Sequence, residues 1–100
     1  MDKHKKPRSD ALYRAVLTLK SVEECRRFFQ DLCTMTELQA MEQRMEVARL
    51  LNEGMIYNDI LERTGASSAT ISRVNRALQY GADGYKAVLP RLEPTGEEEP

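Results

Sequence analysis

Small polar side chains and two arginines recur at helical spacing in the sequence TGASSATISRVNRAL, residues 64–78. On a helix, Ala69, Ser72, Arg73 and Arg76 occupy positions i, i+3, i+4 and i+7 and therefore share one face. Small side chains let a helix backbone approach base edges in a major groove. Serine donates or accepts hydrogen bonds there, and arginine binds guanine or phosphate. We expect this face to point outward and to contact DNA.

A second stripe on the same segment is apolar. Ile71, Val74 and Leu78 recur at i, i+3 and i+7, and a rotation of about 100° per residue places them opposite the first stripe. We expect this stripe to pack inward, against Ile60 and Leu61 of a preceding helix.

Gly65 lies between the two predicted helices, and glycine adopts the left-handed backbone of such a turn without steric cost. Ser67 or Ser68 is expected to cap the second helix, whose free N–H groups also favour a phosphate. The sequence therefore predicts a helix-turn-helix over about residues 57–80. An ordinary helical hairpin with a solvated polar face is the alternative. The candidate DNA-binding residues are Ser67, Ser68, Ala69, Thr70, Ser72, Arg73 and Arg76.

The remaining periodicity predicts an all-α protein of about six helices, with no strand pattern. The first helix begins at Ser9 or Asp10, and Ser21 opens a capping box before the second. A longer third helix begins at Thr34 or Thr36 and runs to about residue 53. A fourth spans about residues 58–64 and a fifth residues 68–80. Asp83 is expected to cap a short sixth helix, which Pro90 ends or kinks.

The apolar stripes of helices one to three have too few partners within one chain. The sequence holds only two phenylalanines and no tryptophan, and 100 residues make one small domain. We expect an intertwined homodimer whose N-terminal helices share one core; a loose monomeric bundle is the alternative. The expected organisation is a flexible basic arm at residues 1–9, a helical domain at 10–93 and a disordered acidic tail at 94–100.

Charge is balanced overall but unevenly distributed. The chain has 15 lysines and arginines against 16 aspartates and glutamates. Residues 1–33 carry eight basic and five acidic groups, whereas residues 34–64 carry three and six. This asymmetry indicates local rather than global contact with nucleic acid. The arm from Lys3 to Arg8 either follows phosphates or a minor groove, or is simply solvated.

Other function classes find little support in the sequence. There is no nucleophile–base pair, phosphate loop or metal cluster, so we expect no enzyme and no cofactor. Cys25 and Cys33 are interpreted as reduced, buried thiols of a cytoplasmic protein, and the only histidine, His4, lies in the polar arm. No apolar run approaches the roughly 20 residues of a membrane span.

With these features in view, the segments FFQDLCT, QRMEVARLL, GASSATISRV and RALQYG resemble the Trp repressor superfamily, most closely its Trp-repressor-like YerC/YecD branch. The resemblance covers about residues 10–92 and is most specific from Leu32 to Leu78. It implies an all-helical, intertwined homodimer with two DNA-reading heads. It also implies a bacterial, cytoplasmic transcription regulator, which we expect to repress rather than activate transcription. A protein-interaction module that binds a transcription partner rather than DNA is the alternative.

The Trp repressor holds tryptophan between two arginines, with help from a threonine, a glycine and a serine. By resemblance, Arg44 and Arg73 match the arginines and Thr34 the threonine, which makes these three the candidate effector-binding residues. Val74 stands at the glycine position and Ala77 at the serine position. The first change adds bulk and the second removes a hydroxyl, so we expect no tryptophan binding, while another small-molecule effector stays open.

Two of these arginines have competing interpretations. Arg44 borders the apolar stripe of the third helix, where it either reaches water or an acidic neighbour or binds a ligand carboxylate. The helical face directs Arg73 at DNA, whereas the resemblance directs it at an effector pocket.

Overall fold

Six α-helices and a terminal 3-10 turn form the regular structure of the computed structural model, which describes residues 8–92. No strand occurs in this range, so the predicted all-α class with about six helices is confirmed. The predicted arm and tail lie outside the described residues, except for Arg8 and Ser9. The elements are α1 (Ala11–Leu17), α2 (Val22–Leu32), α3 (Met35–Asn52), α4 (Tyr57–Thr64), α5 (Ser68–Tyr80), α6 (Gly84–Val88) and the 3-10 turn Leu89–Arg91.

The chain divides into two compact units, Met1–Leu38 and Gln39–Pro100. In the first unit, side-chain caps set the helix starts. Ser9, rather than Asp10, accepts a hydrogen bond from the N–H of Ala11 at 3.0 Å. The Ser21 hydroxyl accepts from the N–H of Glu24 at 3.0 Å, as the capping box predicts. α1 ends at Leu17, and the hydroxyl of the C-cap residue Thr18 donates to the carbonyl of Ala15 at 2.7 Å.

Thr34 and Glu37 form the reciprocal capping box that begins α3. The Thr34 hydroxyl accepts from the N–H of Glu37 at 3.1 Å, and the Glu37 carboxylate accepts from the N–H of Thr34 at 2.9 Å. The alternative start at Thr36 is not used, because that residue already lies inside the helix. Two otherwise unpaired N–H groups at the start of α3 are thus satisfied by side chains.

No residue of α1 or α2 is buried, although both helices carry apolar side chains. Leu17 is 84% exposed, and Val22 and Leu32 are exposed as well. Cys25 and Cys33 are free but only half-buried, so the prediction of buried thiols was wrong. Within residues 8–92, the apolar side chains of these two helices are thus exposed or half-buried.

The second unit contains a well-defined core. Its fully or almost fully buried residues come from α3, α4, α5 and the turn between the last two. On α3 the buried residues are Val47, Ala48 and Leu50, whereas Met45 and Leu51 are half-buried. The buried cluster consists of Val47, Ala48, Leu50, Ile60, Ala66, Ile71 and Val74.

The short last helix begins differently from its prediction. Asp83 precedes α6 with a positive φ of 68°, and its side chain accepts no capping hydrogen bond. Its carboxylate instead lies 3.7 Å from the ammonium of Lys86. A residue in this left-handed conformation does not aim its side chain at the helix N–H groups as an extended N-cap does. α6 ends before Pro90, as predicted.

Candidate nucleic-acid interface

A three-residue turn joins α4 to α5. Gly65 ends α4 with φ 74°, and its N–H donates to the carbonyl of Leu61 at 2.9 Å. A side chain in this left-handed region is disfavoured, which explains glycine here. Ala66 is buried in the core, and Ser67 begins α5. The predicted pair of helices around Gly65 is therefore present, with a short and specific connection.

The turn is held by two residues that the sequence did not single out. The Thr64 hydroxyl donates to the carbonyl of Ile60 at 2.7 Å and accepts from the N–H of Ala66 at 3.1 Å. The Gln43 amide donates to the carbonyl of Thr64 at 3.3 Å, which attaches the turn to α3. The role of Thr64 could have been predicted from the sequence, because the hydroxyl of a threonine in the last turn of a helix commonly forms a hydrogen bond with the preceding turn. Nothing in the sequence pointed to Gln43.

Ser67 is the N-cap of α5. Its hydroxyl oxygen accepts from the N–H of Thr70 at 3.1 Å and lies 3.0 Å from the Thr70 hydroxyl. Ser68 is the first helical residue and stays exposed. Of the two predicted caps, Ser67 is therefore the one used. The hydroxyls of Ser67 and Thr70 are engaged with each other, while that of Ser68 faces solvent.

The two stripes of α5 face opposite ways. Ile71 has no exposed surface and Val74 is 2% exposed, and Leu78 packs partly against the same core. The outer stripe is exposed along its whole length and lines one concave surface. That surface is formed by Ala69, Ser72, Arg73 and Arg76.

The expected packing partner Leu61 is 41% exposed, so this prediction was wrong, whereas Ile60 is fully buried. The two residues are adjacent on α4 and point about 100° apart. Thr64, one turn after Ile60, lies on the same side as Ile60 and is half-buried. The side of α4 that contains Ile60 therefore packs into the core, and Leu61 lies at the edge of the core.

The outer stripe is electropositive. Helix α5 contains no aspartate or glutamate. Among residues 8–92, no carboxylate oxygen lies within 4.0 Å of the guanidinium of Arg73 or Arg76. Both guanidiniums can therefore bind an external anion without first losing an internal ion pair.

The three candidate effector residues differ in their local environments. Thr34 belongs to the first unit, where its hydroxyl caps α3. Arg44 is half-buried in the second unit, and Arg73 is exposed on the outer stripe. Val74, at the position matched to the glycine, fills the core with its side chain.

The acidic residues of α3 nearest to Arg44 in sequence are Glu42 and Glu46, which lie two positions away and therefore do not share its face. Arg49 donates to Glu46 at 3.2 Å and to Glu53 at 2.9 Å, and the hydrogen bond to Glu46 raises the pKa of its guanidinium. Within the described part of the chain, Arg44 itself has no ion pair. Of the alternatives for Arg44, a pair with an acidic neighbour is therefore not observed in this range, while contact with water or with a ligand carboxylate stays a prediction.

Ala77, at the position matched to the serine, lies beside an apolar pocket. The pocket is bounded by α3, α5 and α6 and has a volume of about 440 Å³. Ala77 is the residue that α5 contributes to its lining, and its side chain has no hydroxyl. Its lining residues are Met45, Ala77, Ala82, Gly84, Tyr85 and Val88.

Residues 8–92 contain no helix that is long and apolar enough to cross a bilayer. No group of three or more histidine, cysteine, aspartate or glutamate side chains is arranged there to hold a metal ion.

Comparisons with known proteins agree on one family. The chain is 51% identical over 98 residues to the uncharacterized protein YerC of Bacillus subtilis (strain 168), which covers 98% of this chain and 94% of YerC. A crystal structure of a candidate Trp repressor from Staphylococcus aureus is similar with a TM-score of 0.79 and 50% identity, covering 82% of each chain. The crystal structure of a TrpR-like protein from Eubacterium eligens ATCC 27750 also has a TM-score of 0.79, with 51% identity over 85% of this chain and 91% of that one. The model of the Trp repressor protein family matches residues 8–93. The chain therefore belongs to the Trp repressor protein family.

Proposed function

We propose that the chain is a sequence-specific DNA-binding transcription regulator that places α5 in the major groove and acts as a homodimer, with repression as the expected sign. The opposition of the two stripes on α5 is the observation that carries this proposal. A helical hairpin needs the buried stripe of Ile71 and Val74 to be stable. It has no need of small residues on the other side, or of arginines there that form no ion pair within residues 8–92.

Each residue of the outer stripe has a chemical role in this proposal. Ser68, Ala69 and Ser72 are the base readers, since they are small, exposed and close to the N-terminus of α5. Ala69 offers a methyl to thymine, and the serine hydroxyls donate to or accept from base edges. The first N–H groups of a helix have no intrahelical partner and favour a phosphate.

The arginines supply the sequence-independent part of the binding. Arg73 and Arg76 follow the base readers along the helix, where they reach phosphate or a guanine edge. Ser67 and Thr70 act indirectly, because the hydrogen bonds between them fix where α5 begins. The near-neutral charge of the chain is compatible with this arrangement, since the contact surface itself carries no negative charge.

The proposed homodimer is supported by the first unit. Helices α1 and α2 bury no residue in the isolated chain and leave apolar side chains such as Leu17 and Val22 exposed. Burying a leucine or valine contributes about 1.5–3 kcal/mol. A second copy offers matching apolar faces, so that two DNA-reading heads lie on one dimer. Membership of the Trp repressor family supports the same assembly.

We also propose that the regulator acts in the cytoplasm, without enzymatic activity and without tryptophan as a required effector. The regulatory family supports the first two statements. The buried side chain of Val74 and the missing hydroxyl at Ala77 support the third. Arg44, Arg73 and Thr34 stay candidates for binding a different anionic effector.

A protein-interaction module is the second candidate function. It is favoured by exposed apolar residues on the α4 side of the motif, namely Ile56, Tyr57 and Leu61. A partner such as a polymerase subunit would bury these residues. In that case the arginines of α5 would be solvated and would carry no specificity.

A gel-shift experiment against a library of genomic fragments separates the two functions. The purified dimer is expected to retain a small subset of fragments at moderate salt, in competition with an excess of unrelated DNA. Footprinting of the retained fragments should then protect a two-fold related site. Failure to retain any fragment over unrelated DNA would reject the DNA-reading proposal and favour the protein-interaction module.

A further inference from the structure

The outer face of α5 extends beyond the arginines to Tyr80, the last residue of the helix. Tyr80 is eleven positions after Ala69, and at about 100° per residue it lies within about 20° of Ala69 around the helix axis. It is also one turn beyond Arg76. Its side chain is 83% exposed. The outer stripe thus ends in an aromatic side chain that points in the same direction as the base readers.

The position of Tyr80 at the end of the helix is fixed by Gly81. The N–H of Gly81 donates to the carbonyl of Ala77 at 3.0 Å. A Cβ added at Gly81 would lie 2.4 Å from that carbonyl oxygen, which no side chain tolerates. The chain can therefore turn away directly after Tyr80 only because residue 81 is glycine.

The Tyr80 hydroxyl has no hydrogen-bond partner among residues 8–92, in contrast to the Tyr13 hydroxyl, which accepts from Arg8 at 3.1 Å. A tyrosine usually places its ring against apolar surface and its hydroxyl on a polar partner. Residues 8–92 supply neither to Tyr80. The side chain is therefore available for an external acceptor on the outer face of α5.

The length of the stripe indicates what that acceptor is. Ala69 and Tyr80 are separated by about 16 Å along the axis, at 1.5 Å per residue. The major groove is only about 12 Å wide. When Ala69 and Ser72 contact base edges, the far end of α5 reaches the rim of the groove, which is lined by phosphates. A tyrosine hydroxyl is a neutral donor of the kind that binds phosphate oxygens.

We propose that Tyr80 is a positioning residue whose hydroxyl donates a hydrogen bond to a DNA phosphate at the rim of the groove. This contact holds the far end of α5 at the DNA backbone while Ala69 and Ser72 face the base edges. The inference rests on the proposed DNA-reading function.

The test compares Tyr80→Phe with Tyr85→Phe, a matched control that removes the same hydroxyl from the same unit. Dissociation constants are measured for the footprinted site and for unrelated DNA over a range of salt concentrations. Tyr80→Phe should weaken binding about tenfold on both DNAs, as expected for a lost hydrogen bond to a charged group. The salt slope should not change, because a neutral donor displaces no counterion. Tyr85→Phe should bind like the wild type.

Methylphosphonate substitution along the site identifies the contacted phosphate. At one flanking position, removal of the phosphate charge should weaken the wild type but cause a much smaller loss for Tyr80→Phe. A merely structural role of Tyr80 would not single out one phosphate.

Three results would overturn the inference. Wild-type affinity of Tyr80→Phe on both DNAs would show that no bond is lost. A loss confined to the specific site would assign Tyr80 to base reading instead. Equal sensitivity of the wild type and Tyr80→Phe at every methylphosphonate position would show that Tyr80 does not contact a phosphate. If the wild type itself binds no DNA, the proposed function fails together with the inference, whereas the first three results leave that function intact.

Discussion

Ile71 and Ser72 are adjacent in α5 and point about 100° apart, so that Ile71 is fully buried whereas Ser72 is exposed on the concave outer surface. Changes at the two positions should therefore have separable effects. A change at Ile71 acts on stability, and a change at Ser72 acts on what the surface binds. The first prediction uses this separation.

Ser72→Glu should abolish DNA binding without loss of helicity. A carboxylate at this position meets the phosphates that line the groove, and the exposed site imposes no packing cost. Ser72→Gln is the matched control, since it adds almost the same volume without charge. The glutamine variant should lose specific binding but keep binding to unrelated DNA. Gel shifts and far-ultraviolet circular dichroism measure the two properties, and unchanged affinity in both variants would favour the protein-interaction module.

Arg76→Ala should weaken binding to every DNA sequence and reduce the salt slope by about one, as expected for the loss of one phosphate contact. The guanidinium of Arg76 has no ion pair within residues 8–92, so its removal leaves no unpaired carboxylate behind. Arg91→Ala is the control, because it removes the same charge from the 3-10 turn rather than from α5. The readout is the dissociation constant as a function of salt. Equal slopes for the two variants would contradict a phosphate contact at Arg76.

Ser67→Ala should lower the free energy of unfolding by about 1 kcal/mol, because the N–H of Thr70 loses its capping acceptor. Ser68→Ala should change it by less than about 0.5 kcal/mol, since that hydroxyl faces solvent. Urea unfolding at one fixed protein concentration measures both, because the stability of a dimer depends on concentration. If Ser68→Ala is the more destabilising change, the cap assignment is wrong.

The caps and the helix order could be read from the sequence because they depend on local chemistry. Ser21 with Glu24 and Thr34 with Glu37 are short-range patterns, and α5 has the predicted bounds of residues 68–80. The choice between Ile60 and Leu61 depended on which side of α4 meets the other helices. Periodicity within an eight-residue helix does not fix that side.

In the candidate site, too, the local features could be predicted from the sequence and the long-range contacts could not. The outward stripe of α5 follows from its period, and its exposure is observed. The link from Gln43 to the carbonyl of Thr64 joins residues 21 positions apart, and no local pattern reports such a contact. No local pattern indicated the positive φ of Asp83 either.

Sedimentation should show a dimer at micromolar concentration, with Leu17→Glu shifting the equilibrium toward monomer. Leu17 is 84% exposed in the single chain, and burying one leucine contributes about 1.5–3 kcal/mol, or roughly tenfold or more in affinity. Leu17→Met, which keeps volume and apolar character, should remain dimeric. A wild-type chain that is monomeric and well folded at that concentration would refute the shared core.

Tryptophan should not bind at physiological levels, and DNA binding should not require it. In the Trp repressor a glycine faces the indole, and Val74 stands at that position here with only 2% of its surface exposed. Overpacking at such a position typically costs about 1–3 kcal/mol. The hydroxyl missing at Ala77 removes roughly a further 1–3 kcal/mol of polar contact. Together these changes would weaken a micromolar ligand by about 30-fold or more.

Calorimetry of the purified protein with tryptophan measures this directly, and gel shifts with and without tryptophan give the functional readout. Val74→Gly with Ala77→Ser restores both matched residues and is the informative comparison. It should be less stable, because Val74 fills the core. It should also bind tryptophan more tightly than the wild type if Arg44 and Arg73 still hold the ligand. A saturable heat from the wild type with a dissociation constant below about 100 μM would show that the indole can be accommodated beside Val74.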